Sequence, residues 1–266
     1  MAIQDEFGRI GFFEDFGGYA ATASIADATA GTRFNDITMI AVSGAVDFIN
    51  TVDESSGVAS FSGAGGAADG IVLVGMPMVA SSNGTLRMGA RFKGASATDL
   101  RVFVGWQETV SMSETVNPFT LSGTTLTSND GGNAVGFYTD TSATTDDFRF
   151  HYSLDGTEST TAALSYALGG ATTLGALGVR ANCTLTADSW YVVRVEIDPD
   201  GACEGWFGGP GMANQNGLTR IARMDAGTFD KDAVVYPVLH LLAASTGDPL
   251  LECDYFWAKG NRDWAT

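Results

Sequence analysis

Apolar and polar side chains alternate with a period of two residues along most of this 266-residue chain, and this pattern is typical of half-buried β-strands. The apolar side chains of one such run share a single face: Leu86, Met88, Ala90 and Phe92. Residues 100–106 repeat the pattern after a short stretch of loop-type residues. We therefore predict that these two runs pair as antiparallel neighbours.

The clearest hairpin signal joins residues 190–197 to residues 202–207 through the turn Asp198-Pro199-Asp200-Gly201. Proline presets φ for a turn and glycine accepts a positive φ, so this connection has a physical basis. A third alternating run lies at residues 148–152, where His151 falls on the polar face. Further strands are predicted at residues 37–42, 45–50, 58–62, 70–74, 133–139, 233–242 and 250–258.

Helix is almost absent from this pattern. Only residues 20–28 and 160–168 have the composition for a turn or two of helix, and both are too short for a stable amphipathic helix. Long loops are expected at residues 111–133, 169–188 and 208–216. A dozen short strands without a fixed internal repeat predict an all-β fold, a two-sheet antiparallel jelly-roll sandwich. We assign the sandwich to residues 36–266 and an N-terminal arm or edge segment to residues 1–35.

The N-terminal segment combines four phenylalanines with several glycines: Phe7, Phe12, Phe13 and Phe16. This composition is too flexible for an isolated strand and too apolar to remain solvated. We expect the segment to dock either on its own sandwich or on a neighbouring molecule. In the second case the four rings form an assembly interface, because aromatic side chains are common interface anchors.

The net negative charge of the chain disfavours several classes of partner. The chain carries 14 basic and 31 acidic residues, a formal net charge of −17, which disfavours binding to nucleic acid and to anionic membranes. No stretch approaches the roughly 20 apolar residues that span a bilayer. The first residues lack the layout of a secretory signal, so synthesis in a cytoplasm is expected. The three cysteines lie far apart, and we predict free, buried thiols at Cys183, Cys203 and Cys253.

Motifs for catalysis and metal binding are weak. Glu196 and Asp198 resemble the beginning of the carboxylate strand of sandwich-fold glycosidases, but the turn that follows disrupts the required geometry. His151 and His240 have no nucleophile elbow near them in the sequence. Asp198 and Asp200 do not match a calcium loop, although acidic residues are numerous enough that a structural calcium ion is possible. The sequence therefore predicts no enzyme activity, no catalytic residue and no cofactor.

Three aromatic residues are candidates for a sugar-binding face: Trp106, Tyr138 and Trp206. Their rings have the size and apolar character to stack on hexoses. Each residue also lies in an alternating strand, where an aromatic ring is normally part of the core. Both interpretations follow from the sequence, with the core interpretation favoured.

Three segments together resemble concanavalin A-like jelly-roll domains, and more narrowly the head-decoration and fibre proteins of tailed bacteriophages. They are Phe12-Phe13-Glu14-Asp15-Phe16, the strand and turn of residues 190–201, and Glu252-Cys253-Asp254-Tyr255-Phe256-Trp257 with Arg262. The resemblance implies a two-sheet sandwich in the virion that binds the major capsid protein or another virion protein, as a homo-oligomer and often as a trimer. It carries over no catalytic residue.

The sequence and the resemblance together predict a non-enzymatic virion structural protein that decorates the outer surface of a phage head. The alternative is a carbohydrate-binding, fibre or receptor-binding module. A third possibility is a polysaccharide-cleaving enzyme. Copy number would distinguish the first two, because a decoration protein is as abundant as the shell protein.

Overall fold

The structure is a computed structural model. It describes residues 9–16, 23–25, 31–51, 57–62, 69–94, 100–111, 117–122, 125–129, 131–142, 147–155, 157–158, 164–166, 179–212, 217–244 and 250–261. Within these ranges the regular secondary structure is strand, apart from one short helix.

The elements follow one another as β1 (Arg9–Glu14), β2 (Ala23–Ile25), β3 (Thr32–Phe34), β4 (Ile37–Val42), β5 (Val46–Thr51), β6 (Val58–Ser62), β7 (Gly70–Val74), α1 (Ala80–Asn83), β8 (Leu86–Gly94), β9 (Leu100–Gln107), β10 (Phe119–Ser122), β11 (Thr125–Ser128), β12 (Ala134–Asp140), β13 (Asp147–Leu154), β14 (Thr157–Glu158), β15 (Leu164–Tyr166), β16 (Val179–Thr184), β17 (Tyr191–Ile197), β18 (Cys203–Gly208), β19 (Thr219–Met224), β20 (Tyr236–Ala243) and β21 (Leu250–Asn261).

Two large antiparallel sheets form the molecule. The ten-stranded sheet has the order β15-β19-β18-β17-β8-β21-β6-β5-β2, and β1 also pairs with β21. The nine-stranded sheet has the order β14-β13-β12-β9-β20-β7-β4-β3, and β16 also pairs with β13. The predicted all-β architecture of two antiparallel sheets is confirmed. In chain order, strands pass repeatedly from one sheet to the other, as a jelly roll requires.

The predicted hairpin is confirmed in position and register. β17 and β18 pair from Val192 opposite Gly208 to Ile197 opposite Cys203, and the turn lies between them. The predicted pairing of residues 85–92 with residues 100–106 is wrong. β8 lies in the ten-stranded sheet between β17 and β21, whereas β9 lies in the nine-stranded sheet between β12 and β20. The two strands therefore bury one face each against the same core, from opposite sheets.

Two other expectations are corrected. The described parts of the two predicted helical segments are strands, β2 and β15. The short helix α1 follows β7 in the chain, and the sequence did not predict it. The long loop expected at residues 111–133 contains a separate hairpin of β10 and β11.

The main core fills the space between the sheets, and a second, smaller cluster lies on the outer face of the nine-stranded sheet. In this second cluster Phe119 and Leu121 of the extra hairpin cover Phe103 and Tyr138. The ring of Phe119 also lies 5.2 Å from that of His151, edge to face. His151 is fully buried, so its predicted position on a solvated polar face is wrong. The reason is that the extra hairpin covers that face.

Candidate binding surfaces

Two of the three predicted sugar-binding aromatics are buried in the molecule. Trp106 is completely buried in the main core, where its Nε1–H donates a hydrogen bond to the backbone oxygen of Val195 at 3.2 Å. Tyr138 is 1% exposed and its hydroxyl accepts a hydrogen bond from the amide of Leu121. Neither ring can contact a sugar, so the binding interpretation is corrected to the core interpretation for both. Trp206 alone of the three is partly exposed.

The N-terminal phenylalanines also differ in burial. Phe12 and Phe16 are buried in the main core, and Phe12 packs against Phe256 with ring centroids 5.3 Å apart. These two side chains are therefore unavailable as interface anchors in the folded chain, which corrects their assignment to an assembly interface. Phe13 is 49% exposed and stacks on Tyr255. Phe7 lies outside the described residues.

His240 is a buried residue of the fold. His240 is fully buried, its Nε2 lies 3.0 Å from Oε1 of Gln107, and its ring meets Phe103 edge to face. Burial lowers the pKa of His240 to about 3. His240 therefore stays neutral at physiological pH, and its partners among the described residues are an amide and a phenyl ring rather than the nucleophile that a catalytic triad requires.

The predicted free thiols are confirmed at all three positions, and each cysteine is buried. Burial, with a smaller contribution from Asp147, raises the pKa of Cys183 to about 11. Burial also raises the pKa of Cys203 and Cys253 well above the ordinary value. All three groups are therefore held as thiols, the unreactive form.

An open cleft of about 540 Å³ lies at the end of the sandwich where the β17–β18 turn meets the loop before β20. Backbone hydrogen bonds tie the two segments together: Gly227 donates to the oxygen of Asp200 at 2.6 Å, and Phe229 donates to the oxygen of Gly201 at 3.1 Å. The side chain of Asp200 is fixed as well, because its Oδ1 accepts from the amide of Ala202. The cleft is therefore built on a rigid turn.

The lining of the cleft is mainly acidic and polar, with an apolar part. Four of its side chains are exposed carboxylates and one is a lysine: Asp155, Asp200, Asp230, Asp232 and Lys231. Asn133 also borders the cleft, but it is buried, and its side-chain amide is engaged by Glu108 at 2.7 Å and by the backbone N–H of Asp155 at 3.3 Å. Partly buried Leu154 adds apolar surface, whereas the Phe229 side chain is buried in the main core. Carboxylate oxygens accept hydrogen bonds from hydroxyl groups, and the excess of negative charge disfavours anionic ligands.

The carboxylates singled out in the sequence as a glycosidase-like pair lie outside the cleft. Glu196 is on the outer face of the ten-stranded sheet, where Arg87 and Arg194 bind it at 3.2 and 2.8 Å. Asp198 accepts a hydrogen bond from the hydroxyl of Thr85 at 2.8 Å. The strand ends in the turn before a second carboxylate can join Glu196, as the sequence predicted.

The described residues contain neither a metal-binding cluster nor a membrane-spanning helix. Nowhere among them do three or more His, Cys, Asp or Glu side chains come together as a metal-binding group. Across the same ranges, no helix has the length and hydropathy to cross a bilayer.

The cleft residues were largely missed by sequence reasoning. Asp200 with Gly201 and Asp155 with Gly156 are Asp-Gly turn signals in the sequence, but they predict turns and not a site, and the loop residues 227–232 carry no motif. Asp155 follows β13 with a positive φ of 48°, a conformation that aspartate tolerates better than most residues. Short acidic loops are common in a chain with 31 acidic residues, so only the fold shows that these segments converge.

The outer face of the ten-stranded sheet is the second candidate surface. Trp206 lies there beneath the guanidinium groups of Arg194 and Arg220, which are 4.2 and 5.9 Å from the ring centroid. Trp190 is covered in the same way by Arg91, at 4.4 Å. Because cations already occupy these ring faces, the rings are not free to stack on a neutral sugar. Arginine over tryptophan is instead a combination enriched at protein interfaces.

Comparison with known proteins establishes the fold. No family model matches the chain, and no curated protein matches it. A protein of unknown function from Shewanella oneidensis MR-1 is similar in structure, with 13% identity over 100% of this chain and 93% of that one and a TM-score of 0.52. A seed lectin from Lotus tetragonolobus has 9% identity over 92% of this chain and 100% of its own, also with a TM-score of 0.52. The chain therefore has a concanavalin A-like sandwich fold.

A more distant match is the CBM2 module of an evolved Dit protein from Lactobacillus casei BL23 phage J-1. It has 9% identity over 97% of this chain and 98% of that module, with a TM-score of 0.46. At such low identities the fold alone is shared, and function has to be argued from the site.

Proposed function

We propose that this protein is a non-enzymatic carbohydrate-binding module that holds a neutral glycan in the cleft at the end of the sandwich. The observation that carries the proposal is the lining of that cleft. Exposed carboxylates surround a space that fits a few sugar rings, and partly buried Leu154 adds apolar surface beside them. Sugars present hydroxyl groups and apolar faces together, so this combination suits them.

The net negative charge of the cleft narrows the class of glycan that can bind there. The four carboxylates and single lysine of the cleft oppose uronic acids and sulfated sugars. Neutral hexose oligosaccharides are therefore the favoured ligands. The proposal also includes the absence of hydrolysis, because Glu196 is bound by two arginines on another surface.

Titration calorimetry with neutral oligosaccharides, chosen from a glycan array, tests this proposal. Asp155→Asn and Asp230→Asn should each weaken binding about 10-fold or more, because a hydrogen bond to a charged group contributes about 1.5 to 3 kcal/mol. Asp225→Asn is the matched control, since Asp225 lies in the same loop region but does not line the cleft. The proposal is wrong if no neutral oligosaccharide binds, if the three variants behave alike, or if the bound oligosaccharide is cleaved.

The capsid-decoration role stays a prediction of the sequence resemblance, as do the virion location and the capsid partner. Its test is separate from the glycan experiment. A decoration protein should co-purify with phage heads in a copy number comparable to that of the shell protein, and glycan binding alone would not produce that result.

A further inference from the structure

The outer face of the ten-stranded sheet concentrates basic charge on an acidic protein. Seven of the 14 basic residues of the chain lie on β8, β17, β19 and β21 and face outward: Arg87, Arg91, Lys93, Arg194, Arg220, Arg223 and Lys259. Four acidic residues accompany them: Glu196, Glu204, Glu252 and Asp254. Basic residues therefore outnumber acidic ones on this face, whereas acidic residues outnumber basic ones in the chain as a whole.

We propose that two copies of this chain pair through this face as a two-fold symmetric dimer. The symmetry axis runs parallel to the strands, midway between β17 and β8. Such an axis places β17 of one copy against β8 of the other, and β18 against β21. A two-fold interface has to be self-complementary, because the same patch is used twice.

The charged row across the strands meets this requirement. In strand order the row reads Arg223 on β19, Glu204 on β18, Glu196 on β17, Arg87 on β8 and Lys259 on β21. Its two acidic residues lie on one side of the proposed axis, and two of its basic residues lie on the other. The axis therefore sets Glu196 opposite the partner's Arg87 and Glu204 opposite the partner's Lys259.

The aromatic row beside it is complementary as well. Across the same strands it reads Arg220, Trp206, Arg194, Gly89, Trp257 and Phe13. A Cβ at Gly89 would stand 2.7 Å from Nε1 of Trp257, so the indole of Trp257 covers this glycine. The axis thus sets Arg194 opposite the partner's Gly89, where it meets the indole of the partner's Trp257, and sets Arg220 opposite the partner's Phe13. Both contacts are cation–π combinations.

In the next row Val192 comes opposite the partner's Arg91, so no like charges meet there. In these three rows no two like charges face each other. An axis moved by one strand would set Glu196 against the partner's Glu204, or Arg87 against the partner's Lys259, so the complementarity selects one position. The exposed Phe13 would become covered in the dimer, and it is one of three large hydrophobic side chains exposed among the described residues.

The size of the face suits a stable dimer. Six strands about 4.8 Å apart and three or four rows along them give on the order of 500 Å² in projection. The accessible surface of a face covered by side chains exceeds its projection. A standard interface buries about 800 Å² on each partner, which this face approaches.

Sedimentation equilibrium of the wild-type chain and of charge-reversal variants tests the proposal. The wild type should be dimeric at about 10 μM, the weak end of the range for interfaces of this size. Glu204→Lys should lower dimer affinity 10-fold or more by opposing the partner's Lys259, and Lys259→Glu should do the same by opposing the partner's Glu204. Lys231→Glu reverses an exposed lysine on the cleft loop and should leave the dimer intact.

Mixing the two weakened variants provides the decisive measurement. In the mixed dimer the lysine introduced by E204K would face the glutamate introduced by K259E. The unchanged Lys259 of the first chain would face the unchanged Glu204 of the second, so both pairs would be restored. The mixture should therefore dimerise while each variant alone does not. A monomeric wild type, a dimer insensitive to both substitutions, or a mixture that fails to recover dimerisation would each overturn the proposal.

Discussion

Phe229 donates its backbone N–H to the carbonyl oxygen of Gly201 at 3.1 Å, and this contact joins the cleft loop to the hairpin turn. The approach is so close that a Cβ at Gly201 would stand 2.4 Å from the backbone oxygen of Phe229. Gly201 also has a φ of +82°, in the region that side chains disfavour. The turn therefore requires glycine for two independent reasons.

Gly201→Ala should destabilise the protein by more than the cost of the backbone conformation alone. That conformation costs about 1 to 2 kcal/mol for a residue with a side chain, and the backbone clash adds to it. Gly211→Ala is the matched control, because Gly211 has a similar φ of +79° and no atom within 4 Å of its added Cβ. Urea denaturation of both variants measures the difference. Equal losses would show that the contact with Phe229 is unimportant.

The sequence predicted this hairpin well because its signals are local. The turn residues 198–201 and the alternating strands on either side of them lie within about 20 residues of sequence, and together they specify the hairpin. The pairing of β8 with β9 was wrong for the opposite reason. Alternation in Leu86–Gly94 and Leu100–Gln107 shows that each strand buries one face, but not in which sheet it lies. The choice is made by distant strands, such as β17 beside β8 and β20 beside β9.

Trp106→Ala should cost about 3 to 5 kcal/mol in the free energy of unfolding, as expected for removal of a buried aromatic side chain. The hydrogen bond of its Nε1–H to the oxygen of Val195 is lost with the ring. Trp206→Ala should cost clearly less, because this ring is partly exposed on the outer face. Chemical denaturation in high salt at low protein concentration makes the comparison on monomers. A larger loss at position 206 would contradict the core assignment of Trp106.

The candidate surfaces illustrate a second limit of sequence reasoning. Alternation placed Trp206 on a strand correctly, but its neighbours Arg194 and Arg220 come from two other strands, one 12 residues before it and one 14 residues after it. Phe12 and Phe13 are adjacent in sequence, yet one is buried and the other is 49% exposed. Their cluster of phenylalanines therefore contains two structural environments that composition alone could not separate.

Alkylation should report the burial of the three cysteines. In the native protein without reductant, Cys183 should be labelled slowly and first, because its sulfur lies near the loop residue Pro210, 3.2 Å from that residue's oxygen. Cys203 and Cys253 should be labelled only on unfolding, since both lie within strands of the ten-stranded sheet. Mass spectrometry of the unfolded protein should find three modified thiols. Fewer than three would indicate a disulfide and contradict the free-thiol assignment.

Acid should destabilise the protein in part through His240. Nε2 of Gln107 donates to the oxygen of Thr109 at 2.9 Å, which turns Oε1 of Gln107 toward the histidine. The ring therefore donates from Nε2–H, and a second proton would have to enter at Nδ1, which is buried without an acceptor among the described residues. Burial thus lowers the folded-state pKa to about 3, from an ordinary value of 6.5.

The sign of the effect follows from proton binding. Above pH 6.5 the histidine is neutral in both states, and its contribution to stability is fully present. As the pH falls toward 3, the unfolded chain binds a proton that the folded chain does not, so the free energy of unfolding decreases. The slope approaches about 1.4 kcal/mol per pH unit, which amounts to about 2 kcal/mol at about pH 5.

His240→Gln removes this titration and retains a side-chain N–H donor for Gln107. The difference in unfolding free energy between wild type and variant, measured by urea denaturation from about pH 8 to about pH 5, isolates the contribution of His240, because the carboxylates titrate equally in both proteins. The wild type should lose stability relative to the variant as the pH falls below 6.5, with little relative change at higher pH. A constant difference over the whole range would show that the pKa of His240 is the same in the folded and unfolded states, which would contradict the lowering of its pKa by burial.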